Sequence, residues 1–192
     1  MLKDLLMKSR SYRRYDESHV IDRQTLIDLV ELTRYCPSGM NMQPLRYYIS
    51  VDPKINSIIF ENTSWAAALG PAGRPADGER PTGYILILGD KRLTQNFFCD
   101  HGIAAQSILL GATEIGLGGI IIATVKRDIL MNALAIPDHF ELLLCLAIGK
   151  PVEKIVIEEM PADGSHKYWR DEQRVHHVPK RPLSELIVNL ND

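Results

Sequence analysis

The chain has 192 residues and a mass of 21.7 kDa, and its 22 basic and 24 acidic residues give a net charge of −2. Apolar residues make up 45% and charged residues 24%, which is ordinary globular usage and excludes a disordered or fibrous chain. The near-balance of charge argues against a dedicated nucleic-acid-binding protein. The length predicts one domain over residues 1–192.

Cysteine usage and hydropathy predict the compartment. Cys36, Cys99 and Cys145 are odd in number and widely spaced, with no CxxC, so we expect neither a disulfide framework nor a zinc site. The first ten residues lack the apolar core of a signal peptide. Residues 108–125 carry a single charge but are interrupted by glycines, which favours two buried elements over a membrane span. We therefore expect a soluble, cytoplasmic protein with no membrane partner.

Hydrophobic periodicity and breaker residues predict the elements in chain order. The predicted helices are residues 1–10, a helix capped by Asp22 that stops by Cys36, a helix that ends within Trp65–Ala68, Gly102–Ile115 capped by Asp100, and Asp128–Leu134. The predicted strands are Tyr47–Val51, Tyr84–Leu88, Gly119–Thr124 and Leu142–Ile148. Gly70–Gly83 reads as a long loop, 158–178 as polar irregular chain, and Leu183–Leu190 as a terminal helix or arm. This order indicates one layered α/β domain.

The first candidate site is the segment Lys8–Tyr15, in which four cations and two small hydroxyls fall within eight residues. Guanidinium forks and hydroxyls suit a phosphate or another planar anion. A solvated basic turn is the alternative. A second basic pair, Lys180–Arg181, lies between Pro179 and Pro182.

The second candidate is the loop Pro37–Pro44, which is stiffened by prolines at both ends and freed at Gly39. Ser38, Asn41 and Gln43 supply donors and acceptors that can hydrogen-bond the edge of a heterocycle. The alternative is a connector whose polar side chains satisfy its own backbone.

The third candidate is Gly116-Leu117-Gly118-Gly119, between a predicted helix and a predicted strand. Leu117 stands where a Walker loop needs lysine, and the helix-then-strand order is the reverse of a dinucleotide fingerprint. The run is either a tight turn or a flat backbone surface for an aromatic ring.

Nucleophilic and metal sites have little support. The chain contains neither GxSxG nor HExxH, and none of its six histidines has another histidine or a cysteine at the i+3 or i+4 position. We therefore expect no metal site, and we expect the chemistry to belong to a bound cofactor.

In their order along the chain, these features resemble the FMN-dependent nitroreductase family over nearly the whole length. The landmarks that carry the resemblance are Arg10-Ser11-Tyr12-Arg13-Arg14-Tyr15, Pro37-Ser38-Gly39-Met40-Asn41-Met42-Gln43-Pro44, Asp100-His101-Gly102-Ile103-Ala104-Ala105-Gln106, Gly116-Leu117-Gly118-Gly119, Ile148-Gly149-Lys150-Pro151 and Val178-Pro179-Lys180-Arg181-Pro182-Leu183. One departure is Ser9, which stands where many family members have a basic residue.

The resemblance implies a three-layer α+β fold, with a central mixed sheet flanked by helices, in an intertwined homodimer. It implies an FMN in the interface that touches both chains. From one subunit, the implied cofactor contacts are Arg10, Ser11 and Arg13, joined near the phosphate by Lys180 and Arg181. Gly118 and Gly119 are implied to pack beside the isoalloxazine ring. From the partner, the implied contacts are Pro37, Ser38, Gly39 and Asn41, with Gln106 a further contact to the ring.

The implied activity is ping-pong hydride transfer from NADH or NADPH through flavin N5 to a nitroaromatic, a quinone or a similar conjugated acceptor. Arg13 is the candidate that tunes the ring, because a permanent cation favours the negative charge of the reduced flavin. Arg10, Lys180 and Arg181 are candidates for the phosphate. The alternatives are a specialised flavin enzyme that uses O2 and a non-catalytic flavin-binding protein.

Overall fold

The computed structural model describes residues 1–66, 69–70 and 73–189, and its main sheet has four strands. The strands are β1 (Leu45–Ser50), β2 (Gly83–Asp90), β3 (Gly118–Ile122) and β4 (Phe140–Gly149), in the spatial order β1-β2-β4-β3. All three ladders are antiparallel. The predicted sheet is mixed, and its parallel component is one bridge, from Ser11 to Gly119, at the free edge of β3.

Alternating side chains of β2 and β4 divide the core between the two faces of this sheet, because successive residues of a strand point to opposite sides. Tyr84, Leu86 and Leu88 face one cluster, and Ile85 and Ile87 face the other. The first cluster is covered by α3 (Pro53–Glu61) and α5 (Arg127–Ala133), and the second by α2 (Arg23–Glu31) and α4 (Asp100–Glu114). The three-layer α+β architecture predicted from the resemblance is therefore confirmed.

The helices follow the sequence signals closely, with two differences in how they begin and end. α1 spans Leu2–Lys8, and the Asp22 side chain caps α2 by accepting from the Thr25 amide. α2 ends at Glu31 and continues as a 3-10 turn over Leu32–Tyr35, so the chain leaves the helix before Cys36 as expected. The helix predicted to end within Trp65–Ala68 ends earlier, at Glu61; residues 67 and 68 lie outside the described residues.

Asp100 is the second difference, because it is the first residue of α4 and not its cap. The cap position is held by Cys99. The Asp100 carboxylate bonds instead to the Pro37–Pro44 loop, to the Ser38 hydroxyl at 2.6 Å and the Gly39 amide at 3.0 Å. The helix therefore serves as an anchor for that loop.

The prediction of irregular chain over 158–178 is only partly right, because parts of three strands fall within this range. A second sheet forms from β5 (Ile155–Glu159), β6 (Trp169–Arg170) and β7 (His176–Lys180), in the order β5-β7-β6, with a parallel and an antiparallel ladder. Besides the backbone ladders, ion pairs and ring contacts between side chains join the strands. Such pairs leave no apolar periodicity in the sequence. A final short helix, α6, spans Leu183–Leu186; residues 190–192 lie outside the described part of the chain. Among the described helices, none is long and apolar enough to cross a membrane.

Candidate functional site

The arginine-rich segment that follows α1 runs along the edge of the main sheet. The Tyr12 amide donates to the Gly119 carbonyl at 3.1 Å, beside the Ser11–Gly119 bridge. Further along, the Tyr15 and Asp16 amides donate to the carbonyls of Glu79 and Lys150, at 3.1 and 2.8 Å. These bonds come from three distant parts of the chain, so the segment is fixed in place although it is neither helix nor strand.

Arg13 is buried close to the residues that lead into the second sheet. Only 8% of the residue is exposed, its Nη1 donates to the Ser11 carbonyl at 3.0 Å, and its guanidinium lies 5.3 Å from the centre of the Tyr168 ring. Its amide donates to the Glu153 carboxylate. Burial lowers the pKa of the Arg13 guanidinium, and the nearby Tyr168 and Glu153 partly offset that shift. An arginine keeps its charge at neutral pH, so Arg13 places a fixed positive charge here.

Arg10 and Arg13 share an unusual feature. The Nε–H of each is buried and has no hydrogen-bond partner among the described residues, although Arg10 donates from Nη2 to the Leu6 carbonyl at 2.5 Å. A buried donor without an acceptor costs about 1–3 kcal/mol, and more when the donor is charged. Two such donors lie three residues apart beside the exposed Ser11, and they fit an anionic or carbonyl-bearing ligand.

The Pro37–Pro44 loop is a strained turn held by side-chain bonds. Met40, Asn41 and Gln43 all have φ near +50° (53°, 55° and 48°), a region that non-glycine residues rarely adopt. Asp100, which is 4% exposed, accepts hydrogen bonds from the Ser38 hydroxyl and the Gly39 amide of the loop. Within the loop, Ser38 Oγ accepts from the Gln43 amide at 2.9 Å. Strain of this kind persists only where the surroundings determine it, and it is common at ligand sites.

A cleft of about 250 Å³ opens beside this loop. Its walls combine the loop with the 3-10 turn after α2, the start of β1 and the start of α4. It is lined by Thr33, Arg34, Cys36, Pro37, Ser38, Asn41, Gln43, Leu45, Arg46, Tyr47, Asp100 and Ala104. Arg34 and Arg46 bring positive charge to a cleft whose loop is rich in hydrogen-bonding groups, so it suits a polar or anionic ligand.

Gly118 and Gly119 are required by packing within the chain itself. A Cβ on Gly118 would lie 2.6 Å from both Tyr12 and Pro151, and one on Gly119 would lie 2.6 Å from the Ala147 carbonyl. Both glycines are buried. Within one chain, the space next to these two glycines is filled by Tyr12, Pro151 and the core. The flat surface for an aromatic ring stays a prediction.

The remaining predicted residues lie on exposed surfaces. Gln106 is exposed on α4, Lys180 is exposed at the end of β7, and Arg181 pairs with Glu185 at 2.5 Å. Within one chain the described contacts thus form two groups, the arginine segment against Gly119 and the loop against α4. The structure places no described contact between either group and Lys180 or Arg181.

Sequence reasoning missed Glu153, which connects the arginine segment to the second sheet. Its side chain is 4% exposed, and it accepts from Arg170 at 2.9 Å as well as from the Arg13 amide. Burial alone would raise the pKa of Glu153, but the nearby His176, the Arg13 amide and Arg170 together hold it below its ordinary value. No local pattern marks this residue, because all of its partners are distant in sequence. Within the described residues, no group of His, Cys, Asp and Glu side chains could hold a metal ion.

The fold and this site define a three-layer α+β protein with a cationic segment at the sheet edge and a strained polar loop. The family model described as the Nitroreductase family matches residues 6–150. The chain therefore belongs to the Nitroreductase family.

Solved structures share the fold. A protein assigned as a nitroreductase from Desulfovibrio desulfuricans, solved in complex with FMN, superposes with a TM-score of 0.72 at 23% identity, over 100% of this chain and 97% of that one. An FMN-dependent nitroreductase from Clostridium difficile R20291 gives 0.65 at 20% identity, over 78% and 87%. A protein assigned as an NADH dehydrogenase/NAD(P)H nitroreductase from Parabacteroides distasonis gives 0.66 at 23%, over 79% and 88%.

Proposed function

We propose that this protein is an FMN-dependent oxidoreductase that passes hydride from NADH or NADPH to a nitroaromatic, a quinone or a similar conjugated acceptor. Family membership supports the oxidoreductase class, and the FMN named for two structural neighbours supports the cofactor. The observation that carries the proposal is the pair of buried, unpaired Nε–H donors of Arg10 and Arg13.

The residues present fit FMN. Its phosphate and the carbonyl edge of its ring are acceptors, which is what the two unpaired guanidinium donors lack. The exposed Ser11 adds a hydroxyl on the same segment. The strained loop offers the half-buried Ser38 and the exposed Asn41, with Pro37 and Gly39 beside them.

Each group then has a distinct task. When bound, FMN supplies hydride transfer through its N5 atom. Arg13 provides a fixed cation that stabilises negative charge at the ring edge, and Glu153 holds the Arg13 backbone in position. Arg10, Lys180 and Arg181 bind the phosphate through charge-assisted hydrogen bonds.

Asp100 keeps the Ser38–Asn41 turn in its binding conformation. Gly118, Gly119 and Gln106 border the ring side, and Gly118 also lets Tyr12 pack closely.

We propose that the working unit is an intertwined homodimer of two single-domain chains, each spanning residues 1–192. The loop and the arginine segment form separate groups within one chain, which supports a site whose two halves come from different subunits. The free Cys36, Cys99 and Cys145 support a reducing, cytoplasmic location.

The direct test is the visible spectrum of the purified protein with FMN, recorded without oxygen before and after NADH or NADPH. We expect bound FMN to lose its visible absorbance with at least one donor and to regain it when a quinone or nitroaromatic is added. An unchanged spectrum with both donors would rule out the hydride transfer.

Arg13→Ala tests the assignment of the ring-edge cation. We expect the rate of flavin reduction to fall by at least about tenfold, while the Kd for FMN changes less, because the phosphate contacts remain. Stopped-flow reduction and FMN titration measure the two effects, and thermal unfolding checks that the buried site still folds.

Arg23→Ala is the matched control, since Arg23 is an exposed arginine on α2 that bonds only to the Ile49 carbonyl among the described contacts. It should leave both quantities unchanged. If Arg13→Ala weakens FMN binding and leaves the reduction rate intact, Arg13 does not act at the ring edge.

A further inference from the structure

A second cavity, of about 200 Å³, lies between the start of α3, the chain at residues 17–20 and the turn that leads into β2. Its walls are mainly apolar. They are formed by Glu17, Val20, Val51, Pro53, Asn56, Ser57, Phe60, Arg80, Pro81, Thr82 and Tyr84. None of these residues belongs to the set assigned above to FMN.

Three side chains that line this cavity carry buried polar atoms without a hydrogen-bond partner among the described residues: Asn56 Oδ1, Arg80 Nε and Tyr84 Oη. Asn56 is 9% exposed and Tyr84 is 1% exposed. Native proteins leave few buried polar groups unpaired, and each one costs about 1–3 kcal/mol. The three atoms in this cavity combine two donors with one acceptor, and together they offer hydrogen-bond partners to a ligand that has both a carbonyl and an N–H.

The rim of the cavity is held by hydrogen bonds that leave these three atoms free. Asn56 Nδ2 donates to the Thr82 carbonyl at 2.9 Å, and Thr82 Oγ1 donates to the His19 carbonyl at 2.8 Å. The Arg80 amide donates to Glu17 Oε2 at 3.1 Å, and its Nη2 pairs with Asp77 at 2.5 Å. Bonding on both sides of the opening gives the cavity a fixed shape before any ligand arrives.

The Phe60 ring forms part of the apolar wall. The Arg80 guanidinium lies 4.7 Å from its centre, and Arg74 also lies over it, at 4.4 Å. These contacts fix the Arg80 side chain, which leaves its Nε–H as a donor of set position. Glu17 and Arg80 contribute opposite charges to the lining, so the cavity favours a ligand with no net charge.

We propose that this cavity binds a small, neutral, planar amide or lactam. The ligand carbonyl accepts from Tyr84 Oη and Arg80 Nε, its N–H donates to Asn56 Oδ1, and its ring packs against Phe60 and Val51. A cavity of about 150 Å³ holds benzene, so this volume admits one ring with a carboxamide substituent. The proposal does not depend on the flavin chemistry.

The test uses benzamide as the probe and the full-length protein with excess FMN, so that a flavin site is filled before the probe is added. Backbone amide chemical shifts, followed by titration, report where benzamide binds and how tightly. We expect shifts concentrated at Asn56, Arg80 and Tyr84. Acetophenone, which keeps the carbonyl and lacks the N–H, should bind more weakly, and so should the charged benzoate.

Tyr84→Phe is the decisive variant, because it removes one unpaired hydroxyl and keeps the ring. We expect benzamide to bind about fivefold more weakly, with no loss of thermal stability in the absence of the probe. Tyr48→Phe, which removes a hydroxyl from a β1 residue that does not line the cavity, is the matched control and should change neither quantity.

Two results would overturn the proposal. One is benzamide shifts that fall at the Pro37–Pro44 loop or nowhere. The other is a Tyr84→Phe protein that is less stable than the parent and binds benzamide equally well, which would mean that an ordered water satisfies the Tyr84 hydroxyl. Loss of flavin reduction with intact benzamide binding would count against the proposed function alone.

Discussion

The two sheets of this protein are held together by opposite means. In the main sheet every residue of β2 is buried, and its apolar side chains pack into the hydrophobic clusters on both faces. In the second sheet no residue of β5 is buried, and side-chain ion pairs and ring contacts join its strands. Burial of apolar area depends little on pH or salt, whereas exposed charge pairs depend on both. We therefore expect the stability of the main sheet to depend little on pH, and the stability of the second sheet to depend on it more strongly.

The largest expected effect on stability comes from removing a buried apolar side chain from the main sheet. Leu86, on the central strand β2, is fully buried, so Leu86→Ala should lower the free energy of unfolding by about 4 kcal/mol through lost transfer energy and a cavity. Urea denaturation measures it. Ile157→Ala on β5, at a site 38% exposed, is the control and should cost less than about 1 kcal/mol. Equal losses at the two sites would erase the contrast between the sheets.

Glu153 tests the connection between the two regions. Glu153→Gln keeps the shape of the side chain but removes the charge that faces Arg170 and accepts from the Arg13 amide, so we expect a loss of about 3 kcal/mol. The same denaturation assay measures it. Glu158→Gln, at a side chain 34% exposed, should cost less than about 1 kcal/mol. A harmless Glu153→Gln would show that the second sheet docks without this ion pair.

The smallest effect concerns His177, which joins the three strands of the second sheet. Its Nδ1 lies 2.9 Å from Glu158 and its Nε2 lies 3.3 Å from Asp171, and its ring stacks on Trp169 at 4.1 Å. Hydrogen bonds with Glu158 and then Asp171 raise the pKa of His177 above its ordinary 6.5. The stabilisation is therefore complete below about pH 6.5 and is lost as the pH rises through the raised value.

Thermal unfolding between about pH 5.5 and 9, a range that brackets the ordinary histidine pKa, measures this dependence. We expect the midpoint to fall as the pH rises above about 6.5 and the fall to be absent in His177→Gln. His139→Gln, which alters a histidine that packs on Phe140 of the main sheet, serves as the control and should keep the dependence. A His177→Gln profile identical to that of the parent would refute the assignment.

Sequence signals predict the main sheet well and the second sheet poorly, for a physical reason. β2 and α4 are marked by apolar runs that end at breakers, so local composition defines them. β5 to β7 depend on partners such as Glu158 and His177, 19 residues apart, and no periodicity reveals such pairs. Residue types alone single out the arginine segment and the loop as candidate binding elements, and that role stays a prediction. The roles of Glu153 and Asp100 could not, since each is defined by contacts made across the fold.

The Arg13–Glu153 hydrogen bond spans 140 positions of the chain, and this has a consequence for biosynthesis. The arginine segment precedes its partners Gly119, Lys150 and Glu153 by more than 100 residues, so these partners are synthesised later. Contacts of such sequence separation form slowly, because a long loop must close first. The arginine segment is thus synthesised before these three partners, and a translation product interrupted just before residue 119 would contain β1 and β2 but lack these anchors.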